Sequence, residues 1–579
     1  MKLQHWQNDI NEQVQGKNRL RFIFWLTVLC FLAIILRTIY LQIYQADYLK
    51  GLAKGRNSQL RRIPTQKGSI ITKEGSFLAV SVPVFSIYAD PSEISNYQLY
   101  AAKINEIIPI GKDYIAELLK SPGKFVWIQR FVQDKQKQKI ADLNFKGLSY
   151  VRDFKRLYPA QDYLASVLGF SGRQSQGLEG MEHNFDAHLS NNIPQPDIWD
   201  RLYGPSVLGT SGGNLRLTIN DSYQHIAKQE LIDKVQQSGA QSGMVIVMES
   251  KTGALLAVAS HPVVNPNIFG FYHNRQALNP FVGGIYEPGS TFKIITLAIA
   301  LDDRYITEQS TFNCYNGQHS FFGQIINDTI PLGISNLADI IKKSSNICAA
   351  QIGLSIPSKV FYEGITRFGF LRKTGINLLG EVSGQLRHYD KWKKIDQAIL
   401  SYGHGIGVSP LQMITAINVI ANDGVFVKPY VIEELLDSYN NPLPKPKNTP
   451  RRVVSSDTAS LMKSYMKGVV SNQGTARLGQ IKGLKVAGKT GTARKFDRQL
   501  NSYSKTDYIL SFIGFLPADN PKFTILTLLD DPKKAMSSNT PVVTPLFRDI
   551  ALRILTISDP IAHKTLRVTA GDKHLPLFK

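Results

Sequence analysis

The sequence predicts an α/β protein with an N-terminal transmembrane helix, a mixed α+β middle and a large domain of helices packed on an antiparallel sheet. Three observations predict this. Residues 22–36 read FIFWLTVLCFLAIIL without a charge. Short alternating runs at Gly68–Thr72 and Phe77–Tyr88 precede helical patterns at Leu99–Ile108, Tyr114–Leu119 and Lys135–Leu143. Two further strand-like runs, Gly243–Met248 and Ala254–Ala259, stand far from three more, Leu484–Ala487, Tyr508–Phe515 and Phe523–Leu529. Helical stretches at Ser290–Leu301, Ala338–Ile352, Pro410–Ala421 and Asp457–Val470 lie between the two groups. Two early strands, a helical insertion and three late strands suggest one sheet layered with helices.

The apolar run continues past Arg37 to Tyr44. That length crosses a ~30 Å hydrocarbon core with Arg37 reaching an interface. Arg37, Tyr40 and Gln42 stand where a small-residue cleavage site belongs, so the segment reads as an uncleaved signal anchor. Basic residues flank both ends, and counting them does not choose a side. A short tail is easily left in the cytoplasm, with the bulk of the chain outside. The expected division is a cytoplasmic tail over 1–21, the anchor over 22–44, a pedestal over 45–219, a catalytic domain over 220–562 and a tail over 563–579. Within the last domain Asn220 or Asp221 opens a helix as N-cap, and Lys251-Thr-Gly253 makes a hairpin turn.

A chain of 579 residues has ample core and needs neither disulfides nor metals for stability. Its composition excludes a disordered or collagen-like chain. The net charge of +22 points to an anionic partner, or to charge dispersed for solubility. Nucleic acid is set aside, because no recognisable module is present and most of the chain lies beyond the membrane. The cysteines are Cys30, Cys314 and Cys348, without a CxxC or zinc pattern. Cys314 and Cys348 can pair only if their Cα atoms come within ~7 Å, and the expectation is that they do not.

The chemistry concentrates in three motifs. Ser290 follows Pro-Gly and precedes a buried-type helical run, with Lys293 one turn on. Residues three apart share a helix face, so hydroxyl and amine can meet. A helix N-terminus favours an incipient alkoxide, and apolar neighbours lower the lysine pKa. Four other S-x-x-K pairs, beginning at Ser121, Ser460, Ser464 and Ser502, lack the preceding turn or the buried run. Ser344 and Asn346 form S-x-N, suited to relaying a proton and holding an amide; Ser190–Asn192 and Ser537–Asn539 read as polar turns. Lys489-Thr490-Gly491-Thr492 follows a small apolar strand, whereas the copies at Lys251 and Lys373 read as turn and loop. A glycine on an edge strand lets a substrate backbone pair closely. Lys489, Thr490 and Thr492 then face a substrate carboxylate.

In that order the motifs resemble those of the penicillin-recognising serine acyltransferases. Their spacing is similar to that of penicillin-binding transpeptidases. The likeness extends to Lys67-Gly-Ser-Ile70, Ser81–Pro91, Arg156-Leu-Tyr-Pro159, Gly169-Phe170 and Gly177–Glu182, which resemble the pedestal of class B penicillin-binding proteins. Asn265-Pro-Asn267, Glu287-Pro-Gly-Ser-Thr291, Tyr402-Gly403 and Ser409–Gln412 look like that family's transpeptidase domain. The resemblance is nearest to the division-specific (septal) D,D-transpeptidases of Gram-negative bacteria.

It implies a penicillin-binding fold, with a five-stranded antiparallel sheet, helices on both faces and an all-helical subdomain. It implies Ser290 as nucleophile on a D-Ala carbonyl, Lys293 as base, Ser344 as proton shuttle and Asn346 as amide holder. Lys489, Thr490, Gly491 and Thr492 bind the carboxylate, and the Ser290 and Thr492 N–H groups form an oxyanion hole. It implies no metal and no cofactor. The implied partners are peptidoglycan stem peptides, β-lactams, the inner membrane, and a septal glycosyltransferase with other divisome proteins. The implied location is the inner membrane, with the catalytic domain in the periplasm. Alternatives are an elongation-specific transpeptidase, a D,D-carboxypeptidase or β-lactamase-like hydrolase, and an inert septal scaffold. The chain departs from the pedestal pattern at Thr72 and Lys73, which is expected to loosen a salt bridge. It departs again at Ile294, where proline is common, and at Met536–Thr540, where glycine is common.

Overall fold

A computed structural model of the chain describes residues 24–41, 45, 66–190, 212–268, 279–444, 448–497, 502–534 and 542–558. The chain divides into two units, 1–64 and 65–579. In the first, residues 24–39 are helical, with apolar side chains such as Trp25, Leu29 and Phe31 exposed. Among the described residues no helix is long and apolar enough to cross a membrane. Residues 22–23 and 42–44 of the expected span lie outside them, as do both tails, Asn192 and Met536–Thr540.

The second unit begins with the pedestal sheet. Its long strand, Phe77–Ala89, pairs antiparallel with Val126–Val132 and Leu148–Leu157. Alternation puts Ile87 and Ala89 on one face, where they pack with Ile104, Ile115, Ile128 and Ile140. Those residues come from the helices Tyr97–Ile107, Lys112–Leu119 and Asp134–Asp142. On the other side the sheet passes through Ile70–Ile71 and Asn214–Leu217 to Ile432–Leu436. That last strand comes from far along the chain. The pedestal sheet therefore borrows a strand from the catalytic half.

Three pedestal segments singled out in the sequence meet in one buried charge cluster. Lys67 Nζ lies 2.8 Å from Glu182 and 2.7 Å from Asp186, and Arg156 Nε lies 2.6 Å from Glu182. Burial raises the Glu182 pKa, but the charges of Arg156 and Lys67 outweigh it and bring the value to about 2. Thr72 is buried and its hydroxyl donates to Asp221. Lys73 makes no ion pair among the described residues.

The catalytic sheet has the spatial order Ala487–Asp497, Ser502–Leu516, Phe523–Asp530, Ser242–Glu249, Leu255–His261, all antiparallel. Helices cover both faces. Thr524 and Thr527, an odd number of residues apart on one strand, point to opposite sides. Thr524 donates to Asn418 of the helix Pro410–Ala421, and Thr527 donates to Val543 O, where the helix Val543–Ser558 begins. Pro410–Ala421 is buried on every side, which its nearly all-apolar sequence permits. Asn220 is the N-cap of Asp221–Ser238.

Two expectations are corrected. The insertion is not all-helical: Thr311–Asn313 pairs with Ile334–Asn336, and Gln318–Phe321 pairs with Gln324–Asn327. The second hairpin turns on Phe322 and Gly323, both at positive φ, the geometry of a tight two-residue turn. Cys314 and Cys348 are also joined, contrary to expectation. Their Cα atoms stand 5.2 Å apart in a buried disulfide. The first hairpin delivers Cys314 to the helix that carries Cys348, a juxtaposition that sequence distance concealed.

Candidate active site

Ser290 sits in a single 3₁₀ turn, Gly289–Phe292, that runs into the helix Lys293–Asp302. Glycine is required just before it. Gly289 has φ +55°, and a Cβ there would stand 2.7 Å from Thr492 O. Gly403 is required for the same reason, because a Cβ on it would collide with the Gly289 backbone. The Gly289–Ser290 strip is thus clamped between the Tyr402-Gly403 turn and the Lys489 strand.

The expected helix over Ala338–Ile352 is broken at the motif. Leu337–Lys343 ends at Ser344, whose φ is +66°, and a second helix, Asn346–Ser355, begins at once. A left-handed serine is costly and persists only where its surroundings hold it. Here Asp328 holds them. Its carboxylate accepts from Ser345 Oγ at 2.5 Å, Asn346 N at 2.5 Å and Ile347 N at 3.1 Å. The Asn346 amide also donates to Asn327 O at 2.9 Å.

These elements converge on Lys293, which is wholly buried. Its Nζ lies 3.0 Å from Ser290 Oγ, 2.5 Å from Ser344 O, 3.1 Å from Ser344 Oγ and 2.7 Å from Asn346 Oδ1. Burial lowers its pKa well below the ordinary lysine value; Lys489 lowers it further and Asp328 opposes. A neutral amine has two N–H groups and one lone pair. The Ser344 carbonyl and the Asn346 amide oxygen can only accept, so they take the two N–H groups. The lone pair is left for a hydroxyl, and Ser290 Oγ is at hand.

Lys489 is likewise fully buried, and burial brings its pKa down to about 7. Its Nζ donates to Ser344 Oγ at 2.9 Å, so Ser344 bridges the two lysines. The strand Ala487–Asp497 is the edge of the sheet, with Gly491 buried and Thr492 exposed. Thr490 Oγ1 lies 3.4 Å from Lys489 Nζ. The structure thus gathers Ser290, Lys293, Ser344, Asn346 and Lys489, with Thr490, Gly491 and Thr492 along the adjoining edge.

The rival S-x-x-K pairs lie elsewhere. Ser460 and Ser464 are exposed on the helix Ser456–Val469, and Lys463 pairs with Asp423. Among the described residues, no group of His, Cys, Asp or Glu is arranged to hold a metal. Sequence reasoning missed Asp328, His404 and Tyr503, and noted Glu287 only as the start of a motif, with no role. Asp328 belongs to no short motif, so only its contacts reveal it. Glu287 directly precedes Pro-Gly-Ser, and His404 follows Tyr-Gly, so adjacency to a motif was a usable signal.

Known proteins resemble this chain along most of its length. The family model of the penicillin binding protein transpeptidase domain matches residues 243–552, and that of the penicillin-binding protein dimerisation domain matches 62–192. The probable peptidoglycan D,D-transpeptidase PenA of Neisseria meningitidis is 27% identical over 95% of this chain and 95% of its own. The peptidoglycan D,D-transpeptidase FtsI of Escherichia coli K12 is 29% identical over 94% of this chain and 92% of its own. The fold is similar to that of penicillin binding protein 3 from Mycobacterium tuberculosis, solved with aztreonam. The TM-score there is 0.68 and the identity 24%, covering 86% of this chain and 97% of that one.

Proposed function

The chain belongs to the penicillin-binding protein transpeptidases, and on that premise we propose that it cross-links peptidoglycan stem peptides at the division septum as a serine D,D-transpeptidase working through an acyl-enzyme. The observation that carries the mechanism is the wholly buried Lys293 amine, 3.0 Å from Ser290 Oγ with two acceptor-only oxygens beside it; burial lowers its pKa and favours the neutral form with a lone pair toward Ser290. Lys293 takes the Ser290 proton as Oγ attacks the penultimate D-Ala carbonyl. The Ser290 and Thr492 N–H groups hold the oxyanion. Ser344, between the two lysines, passes the proton to the departing D-Ala nitrogen. Asn346 orients the substrate amide, and Lys489, Thr490 and Thr492 receive the terminal carboxylate. A β-lactam presents the same carbonyl and carboxylate and leaves a slow acyl-enzyme.

The catalytic domain works in the periplasm, anchored by residues 22–44 in the inner membrane. The buried disulfide supports an oxidising compartment, and the uncharged run supports the anchor. Its implied company is a septal glycosyltransferase and other divisome proteins.

Ser290→Ala tests the reading. Covalent labelling by a fluorescent penicillin disappears while the thermal unfolding midpoint holds; persisting label overturns the assignment. Rapid turnover of the penicillin adduct would instead favour a carboxypeptidase or β-lactamase-like hydrolase. A fluorescent fusion at midcell, with filaments on depletion, separates septal from elongation-specific work.

A further inference from the structure

The roles assigned to the acyl donor leave one group of polar residues beside the nucleophile turn unused. They form a compact cluster. Glu287, three residues before Ser290, accepts from His404 Nδ1 at 2.7 Å, from Gly405 N at 2.9 Å and from the Tyr503 hydroxyl at 2.9 Å. His404 follows Gly403, whose carbonyl accepts from Gly289 N at 3.1 Å, so the cluster is tied to the residue next to the nucleophile. Glu287 and His404 are each about a fifth exposed, at 20% and 23%. The Nε2 of His404 bonds to none of the described residues. The titratable groups that face His404 are Glu287, Tyr402 and Tyr503, whose rings stand edge-on to it or hydrogen-bond its partner.

The second half of the reaction needs what this cluster offers. An acceptor amine arrives as an ammonium and must lose a proton before it can attack. The donor wall offers no free counter-charge: Lys489 repels a cation whenever it is protonated, and the neighbouring carboxylate, Asp328, is already engaged by three donors. Glu287 supplies negative charge beside the nucleophile turn, and it fixes the His404 tautomer by taking the Nδ1 proton. We propose that the Glu287–His404 pair is the acceptor site, at which Nε2 of His404 removes a proton from the incoming ammonium of a second stem peptide. This rests on the acyl-enzyme reading above.

The bookkeeping of atoms is closed. One proton passes from R–NH3+ to Nε2, and the freed lone pair forms the N–C bond at the acyl carbonyl. The carbonyl pair moves to oxygen and returns. The C–O bond to Ser290 breaks as the second amine proton moves through Lys293 to Oγ. The imidazolium then gives its proton to water.

The test uses the full chain in detergent, acylated by a thioester donor ending in D-alanine. The acceptors are a D-amino acid, cationic at its nitrogen at neutral pH, and hydroxylamine, which is already neutral there. His404→Gln lowers the ratio of D-amino-acid transfer to acyl-enzyme formation at least tenfold, and hydroxylamine restores transfer to within about threefold of the unsubstituted chain. Glu287→Gln does the same to a smaller degree. A ratio unchanged in His404→Gln, or an equal loss with both acceptors, overturns the acceptor site. Failure of the unsubstituted chain to acylate at all would instead overturn the acyltransferase reading.

Discussion

Two buried lysines in this molecule have opposite surroundings. Lys67 in the pedestal sits against the carboxylates of Glu182 and Asp186. Lys293 in the catalytic domain sits against a serine hydroxyl, a backbone carbonyl and a side-chain amide. Both are almost free of solvent. Burial penalises a charge in either place, but only the pedestal offers counter-charges at contact distance. A buried lysine becomes a base where its partners are neutral acceptors, and a structural tie where they are carboxylates.

The most direct way to break this contrast is to give Lys293 a carboxylate. Asn346→Asp places one where the amide oxygen now stands 2.7 Å from Nζ. An opposite charge at that range favours the protonated lysine by ~1–3 pKa units. Acylation by penicillin at neutral pH then falls, by up to about tenfold for each pKa unit gained, and recovers in part as pH rises. An unchanged rate at neutral pH would show that the partner's charge does not decide the lysine's role.

The reverse change belongs to the pedestal. Glu182→Ala leaves Lys67 and Arg156 buried without their shared carboxylate, at a cost of about 3–5 kcal/mol in denaturant unfolding. The sign with pH follows from a folded pKa of about 2 against an ordinary 4.5. The carboxylate's contribution is complete above about 4.5 and is lost as pH falls through about 2. The gap between variant and unsubstituted chain should narrow only in acid.

The disulfide sharpens the contrast by another route, because it braces the neighbours of Lys293 without touching the pedestal. Cys348 lies two residues after Asn346, and its bond to Cys314 closes a sequence separation of 34 residues. Cys348→Ser lowers stability by about 2–4 kcal/mol and slows penicillin acylation. Reductant should do the same to the unsubstituted chain and nothing further to the variant.

The smallest effect concerns Lys489, whose ammonium is lost as pH rises through about 7. Capture of a carboxylate-bearing donor weakens on that alkaline side, by up to about tenfold per pH unit. Lys489→Arg, charged throughout, should flatten that limb of the acylation profile.

Much of the site was legible because its motifs are local. Ser290 and Lys293 share a helix face by their spacing alone, and a Pro-Gly turn before an apolar run marks where that helix begins. The five catalytic strands were visible as β-rich runs, although the Lys489 strand starts at Ala487 and runs on to Asp497. The break at Ser344 was not visible, because Ala338–Ile352 is a good helical sequence until Asp328 arrives from a distant hairpin. Nor could Ile432–Leu436 be assigned to the pedestal sheet, since a strand's partner is chosen by the faces left open around it.

The sequence by itself determined which groups can react: two serines, two lysines, an amide and a glycine-containing edge strand, placed by short-range geometry within each motif. Tertiary structure alone decided their states. Whether a lysine is a base or a tie depends on desolvation and on the charge of atoms a few ångströms away. Those atoms come from Asp328, Asn346 and Lys489 at one site and from Glu182 and Asp186 at the other. Coulomb and desolvation terms act through space, and only the folded chain sets those distances.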